Sequence, residues 1–154
     1  MMSKIIISPY SRQLRNGKPN PKNYPFWDLL VQLLKEQDYY IIQIGVKGEK
    51  EIQGVDEVQF NKPLKELISL LKDCDTFISV DNFFQHLAYA NDVPGYVLFG
   101  QSDPNIFGHK ENINILKDRK YLRALPFDIW ERAEQNNECF VEPEVIIDRL
   151  SKGA

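Results

Sequence analysis

The sequence predicts an α/β fold, a parallel sheet of five or six strands with helices on both of its faces. Short β-branched or aromatic runs alternate with amphipathic helical stretches along the chain, a spacing that calls for right-handed crossovers between parallel strands. The first of those runs carries isoleucine at three successive positions, Ile5 to Ile7, as a strand does when both of its faces are covered. The chain has 154 residues, 43% of them apolar, which suits a single domain over residues 1–154 with one core.

Each element has its own signal. Lys4 to Ser8 (KIIIS) is the first strand, closed by Pro9. The stretch from Pro9 to Pro25 is rich in proline and basic residues and too long for a plain connector, so a functional loop is expected there. From Phe26 to Gln37 the positions Phe26, Leu29, Leu30, Leu33 and Leu34 recur at helical spacing. Tyr39 to Ile44 reads as a second strand ending at Gly45, and Glu57 to Phe60 as a third, with the charged, glycine-bearing loop GVKGEKEIQG between them. Pro63 opens a second helix through Leu64, Leu67, Ile68 and Leu71. Thr76 to Val80 is a fourth strand, and Asp81 stands where a helix N-cap belongs, ahead of NFFQHLAYAN. Gly95 to Phe99 is a fifth strand followed by the loop GQSDPNIFGH, and Ile113 to Leu116 a sixth. Two further helices are expected near Phe127 to Gln135 and Pro143 to Leu150.

Bulk properties remove several function classes. Nineteen basic against 22 acidic side chains leave a net charge of -3, so no excess of positive charge is present to hold a nucleic-acid backbone. Cys74 and Cys139 form no C-x-x-C pair and read as two reduced thiols, with no disulfide framework and no metal site. No apolar run approaches a membrane span or a signal peptide, so a soluble cytoplasmic protein is expected. The absence of G-x-G-x-x-G after the first strand and of a Walker lysine motif argues against conventional dinucleotide and P-loop sites.

In an open parallel sheet the ligand crevice lies beyond the carboxyl ends of the strands. The residues there are polar: Ser8, Tyr10, Ser11, Arg12 and Arg15 after the first strand, Lys47 and Glu49 after the second, Asp81 and Asn82 after the fourth, and Gly100, Gln101, Ser102 and Asp103 after the fifth. Free N–H groups at a helix start, Asn82 to Phe84, suit an anion, and Gly100 lets backbone approach a phosphate on the adjoining strand. Together these suit a diphosphate. Asn82 and His86, four residues apart, share a helix face, which makes a common ligand geometrically possible. The blander readings are Asp81 as a helix cap alone, His86 as a satisfied surface or core histidine, Lys22, Arg12 and Arg15 as a solvated loop, and Trp27 and Trp130 as packing aromatics.

The segment Ile78 to Gly108, ISVDNFFQHLAYANDVPGYVLFGQSDPNIFG, resembles the signature of the heptosyltransferase family of glycosyltransferases. In that signature a strand ends in Asp, Ser or Thr and a Gly follow, a His comes five residues after the Asp, and a second strand leads into F-G-P-T-D-P. Asp81, His86, Leu87, Ala88, Pro94, Phe99, Gly100, Asp103 and Pro104 match as they stand, while Asn82, Phe83 and Gln101 depart from it. Upstream, KNYP (Lys22 to Pro25) is similar to the family's lysine before an aromatic-proline pair, and Glu49 falls where the family has a ribose-holding glutamate.

The resemblance implies a Rossmann-like domain equivalent to one half of a GT-B glycosyltransferase, the half that binds a nucleotide diphosphate sugar. Lys22 would meet the diphosphate, Glu49 the ribose, and Asp81, Asn82, His86, Gly100 and Ser102 the phosphates or sugar. It further implies inverting transfer without a metal or other cofactor, the nucleotide sugar being substrate. The acceptor half, with the catalytic base, would come from another chain or an oligomer. A binding module that holds a nucleotide or nucleotide sugar without turnover is the alternative, and a degenerate domain with Phe83 blocking the site is a third reading.

Overall fold

The computed structural model describes residues 2–153. Six strands, β1 (Lys4–Ser8), β2 (Tyr40–Gly45), β3 (Glu57–Phe60), β4 (Thr76–Val80), β5 (Tyr96–Phe99) and β6 (Ile113–Leu116), form one sheet in the order β3-β2-β1-β4-β5-β6. Every neighbouring pair is parallel. The chain therefore builds outward from β1 to β3, returns to the centre, and builds outward again from β4 to β6. At the reversal the connections leaving β1 and β4 turn opposite ways, and a crevice opens between them.

Five α-helices accompany the sheet: α1 (Trp27–Glu36), α2 (Leu64–Asp73), α3 (Phe83–Ala90), the short α4 (Pro104–Phe107) and α5 (Pro143–Lys152). Alternation along β1 divides the core. Ile5 and Ile7 pack on one face with Leu30 and Leu34 of α1 and Ile146 of α5. Ile6 packs on the other with Leu67 and Leu71 of α2 and Phe84 and Ala88 of α3. Helices thus cover both faces, which explains why the central strands are apolar on both. In α1 the buried stripe is Trp27, Leu30, Val31 and Leu34, the i, i+3, i+4, i+7 pattern of an inward face. Leu29, placed by its spacing on that stripe, is exposed instead.

Three local expectations are corrected. The N-cap of α3 is Asn82 rather than Asp81: its side-chain oxygen accepts from the Phe84 N–H at 3.0 Å, satisfying one of the donors a helix start leaves free. Over Phe127 to Gln135 the only helical piece is a 3-10 turn at Trp130–Arg132. There the Arg123 guanidinium donates to the carbonyls of Asp128 and Ile129, both at 2.9 Å, acceptors that an α-helix would need for its own ladder. The loop after β5 holds α4, begun by Asp103, whose carboxylate accepts from the Asn105 N–H at 2.9 Å. Asp followed by Pro is a legible start signal for such a turn. Among the described residues no helix is long and apolar enough to cross a membrane.

Candidate functional site

The crevice at the β1/β4 reversal is a cleft of about 1140 Å³. Its floor is the carboxyl end of the sheet, and the loop between β1 and α1 forms one side. That loop is held by its own polar groups rather than left to solvent. The Ser11 hydroxyl donates to the Asp81 carbonyl at 2.6 Å, the Ser11 N–H to the Asn23 side chain at 2.8 Å, and the Trp27 indole to the Pro9 carbonyl at 3.2 Å. Asn20, itself buried, donates to the Arg12 carbonyl and accepts from the Lys22 N–H, each at 3.0 Å. The Lys22 backbone is consequently fixed at the mouth of the crevice.

The Lys22 side chain lines the cleft, and only 19% of it is exposed. Its ammonium lies 3.8 Å from a carboxylate oxygen of Asp81 and 5.5 Å from the centroid of the Trp130 ring. Among the described residues it donates no hydrogen bond. An ammonium withdrawn from water without an acceptor is unfavourable, and an anion entering the cleft removes that cost.

On the opposite side, Gln43 of β2, fully buried, donates to the Lys50 carbonyl at 2.9 Å and accepts from the Ile52 N–H at 2.7 Å. Tyr10 reaches the same Lys50 carbonyl at 3.0 Å. Burial, and then the nearby Glu49 carboxylate, push its phenol up to about 12, so it stays a donor. Glu49 is half-buried and accepts from the Val46 N–H at 2.8 Å. Burial raises its carboxyl above the usual range, opposed by that hydrogen bond. Gly45 makes room for this curl, since a side chain there would run into the Glu49 carboxylate. Ile44, Val46, Leu64 and Leu67 give this side an apolar wall.

Charge in the cleft is opposite to that of the chain. Arg12, Lys22, Lys47, Lys50 and Lys62 line it, with Glu49 as the one carboxylate in the lining, although the whole sequence carries -3. Low-dielectric walls around a single sign of charge concentrate counter-ions. Among the described residues no group of three or more His, Cys, Asp or Glu side chains is placed to hold a metal ion.

The residues singled out in the sequence fall into two sets. Lys22, Glu49 and Asn82 line the cleft. Asp81, His86, Gly100 and Ser102 do not. Asp81 and Ser102 do meet, but beneath the cleft: the buried Asp81 carboxylate accepts from Gln85 at 2.8 Å and from the Ser102 hydroxyl at 3.0 Å, joining the ends of β4 and β5. Gly100 has a packing role, since a Cβ there would lie 2.6 Å from the Cys139 sulfur and 2.8 Å from the Phe140 ring.

His86 lies outside the cleft lining, though near enough to Asp81 and Lys22 for both to act on its charge. Asn82 caps the helix and donates to the Ser8 hydroxyl at 2.9 Å, whereas His86 turns the other way to His109, ring nitrogens 2.8 Å apart. Phe83 neither turns into the core nor clears the site, being 57% exposed and part of the cleft lining. Trp130, expected as core or edge packing, also lines the cleft, and neither it nor Lys62 carried a sequence signal. Arg15 stays in the solvated loop, its N–H donating to Glu131 at 2.9 Å.

The comparisons with known proteins agree on one family. The model of Glycosyltransferase family 9 (heptosyltransferase) matches residues 3–141. Among solved structures, the chain is similar to the Escherichia coli ADP-heptose LPS heptosyltransferase II, with a TM-score of 0.68 and 16% identity over 98% of this chain and 46% of that one. The Escherichia coli heptosyltransferase WaaC with ADP superposes with a TM-score of 0.67 and 18% identity over 99% of this chain and 44% of that one. A glycosyl transferase family 9 structure from Veillonella parvula gives a TM-score of 0.71 and 15% identity over 99% and 46%. At such identities the likeness is one of fold, and the chain spans somewhat less than half the length of each relative. Among curated proteins none matches the chain in sequence.

Proposed function

The chain belongs to glycosyltransferase family 9, and on that premise we propose that its cleft binds the nucleotide diphosphate sugar donor of an inverting, metal-independent glycosyl transfer. The observation that carries the reading is Lys22, a shielded ammonium without a hydrogen-bond acceptor, beside four further cations in an otherwise acidic chain. The diphosphate lies between Lys22 and the start of α3, whose first-turn N–H groups and dipole favour an anion. The nucleobase lies along Ile44, Val46 and Leu64, and a ribose hydroxyl donates to the Glu49 oxygen that Val46 leaves open. A solved relative in this fold carries ADP, which supports a nucleotide as the kind of ligand.

In this reading the cations act when the sugar–phosphate bond breaks. Negative charge gathers on the departing diphosphate, and donors fixed in advance stabilise it without reorganising. An acceptor hydroxyl attacks from the far side of the sugar carbon and must lose its proton to a base within hydrogen-bond reach. Glu49, curled under its own loop, is poorly placed for that, so the base belongs to an acceptor domain beyond the described residues. The alternative, a module that binds the nucleotide sugar without turnover, is favoured by Phe83, which stands in the cleft where the family signature has glycine.

A melting-temperature screen against ADP, UDP and GDP and their sugars tests the reading. At a hundredfold excess over Kd a ligand adds about 2.7 kcal/mol to the folded state, so at least one nucleotide is expected to raise Tm by several degrees. No shift with any of them contradicts it. Sugar transfer on addition of an acceptor domain separates the enzyme from the module.

A further inference from the structure

Trp130 stands between two cations. The Lys22 ammonium lies 5.5 Å from its ring centroid, and the Arg123 guanidinium carbon 4.0 Å from it. Arg123 is anchored: its backbone N–H donates to the Gln101 carbonyl at 3.0 Å, and its guanidinium to the carbonyls of Asp128 and Ile129. The 3-10 turn that carries Trp130 is therefore closed onto the end of β5. The following residues tie the turn to the loop that carries Lys22, since Glu131 accepts from the Arg15 N–H at 2.9 Å and Gln135 donates to the Pro19 carbonyl at 2.6 Å.

Asp81 does not hold Lys22 closely. Its two oxygens already accept from Gln85 and Ser102, and the ammonium stays 3.8 Å away. A flexible four-carbon stem needs a second restraint to keep its charge at one place in the cleft. The negative face of an indole supplies one without competing for the ammonium's hydrogens, leaving all three free for an incoming oxygen.

We propose that Trp130 is a positioning residue for Lys22: clamped by Arg123, its ring holds the ammonium at the phosphate-binding end of the cleft. The inference rests on the donor-site reading above for its consequence, and on geometry alone for the contact. It assigns to the segment after β6, which the sequence leaves without a function, a part in anion binding.

Two measurements on the full chain decide it, with ADP as the probe. After reductive methylation with 13C-formaldehyde, the dimethyl-Lys22 resonance is expected to be shifted upfield by the indole ring current in the wild type and in Trp130→Tyr, and to return to the position of the solvated lysines in Trp130→Leu. An unshifted Lys22 resonance in the wild type overturns the proposal whether or not ADP binds. In calorimetry, Trp130→Leu is expected to weaken ADP by about fivefold and Trp130→Tyr by less than twofold. In a Lys22→Ala background Trp130→Leu costs nothing further, because the effect passes through the lysine. An equal loss with and without Lys22 makes Trp130 a plain wall of the cleft and overturns the positioning role while leaving the donor site standing. Absence of ADP binding in the wild type counts against the donor site, and the ring-current result then still decides the contact.

Discussion

The β1–β2 side of the sheet's carboxyl edge and its β4–β5 side use polar residues in opposite ways. On the β4–β5 side, where the family-like signature lies, polar side chains pair with one another, although Ser79 Oγ and Gln85 Oε1 are buried there without a partner. Asp81 takes Gln85 and Ser102, Asp103 takes Arg119 at 2.8 Å, and the two histidines of the chain take each other. On the β1–β2 side, backbone and amide groups are consumed in holding two loops, while the charged ends of Arg12, Lys22, Lys47 and Lys62 are left facing an open cleft. One side is a joint and the other a receptor. A recognisable motif can thus mark where a site is built without supplying the atoms that touch a ligand.

Substitutions on the two sides should therefore fail differently, and the largest effects belong to the joint. Asp81→Ala leaves the buried amide of Gln85 and the Ser102 hydroxyl without an acceptor and is expected to cost about 3 kcal/mol of stability in urea unfolding. Gly100→Ala forces a methyl against Cys139 and Phe140 and is expected to cost about 2 kcal/mol. A stable, well-folded Gly100→Ala protein with weakened nucleotide binding would return Gly100 to the phosphate role. On the receptor side the signs exchange. Lys22→Ala should cost less than about 1 kcal/mol of stability, since the ammonium makes no hydrogen bond and stays 3.8 Å from Asp81, and weaken ADP binding by about tenfold, the loss of one charged hydrogen bond.

The parts of this division that were legible in the sequence are those written in local pattern. The strands β1, β3, β4 and β6 match the expected bounds because each is a short run bearing apolar residues and set off by turn residues. Lys22 and Glu49 were picked out by resemblance to the family's lysine and glutamate, and both lie in the cleft. The roles of Gly100 and His86 were not legible, because their neighbours, Cys139 with Phe140 and His109, come from 23 or more residues away in sequence. Trp130 was missed for the same reason: its value lies in two cations brought to its faces by separate loops. The turn that carries it reads as helix in the sequence, whereas in the structure the Arg123 guanidinium donates to two carbonyls there.

The smallest effect concerns the histidine pair. Burial first, and then the positive charge of His109, lower the His86 imidazole below its ordinary value, near 6.5 when unfolded. The unfolded chain thus binds more protons there than the folded one, so stability rises with pH through this window, is complete above about 6.5, and falls as acid protonates His86. Between pH 7.5 and 5.5 the wild type should lose slightly more Tm than His86→Asn, whose side chain carries no titrating group. An equal loss in both proteins would show that the pair contributes nothing to acid sensitivity.

The division between joint and receptor is tested most directly by mapping amide chemical-shift changes in a 15N-labelled chain as ADP is added. The account predicts that the changes gather on the loop from Tyr10 to Asn23, on Gly45 to Lys50, on Asn61 to Leu64, and at Asn82 and Trp130, with His86 and His109 unmoved. Changes centred on His86, His109 and Gly100, with Lys22 and Glu49 silent, would place the ligand on the other side of the sheet edge and contradict it.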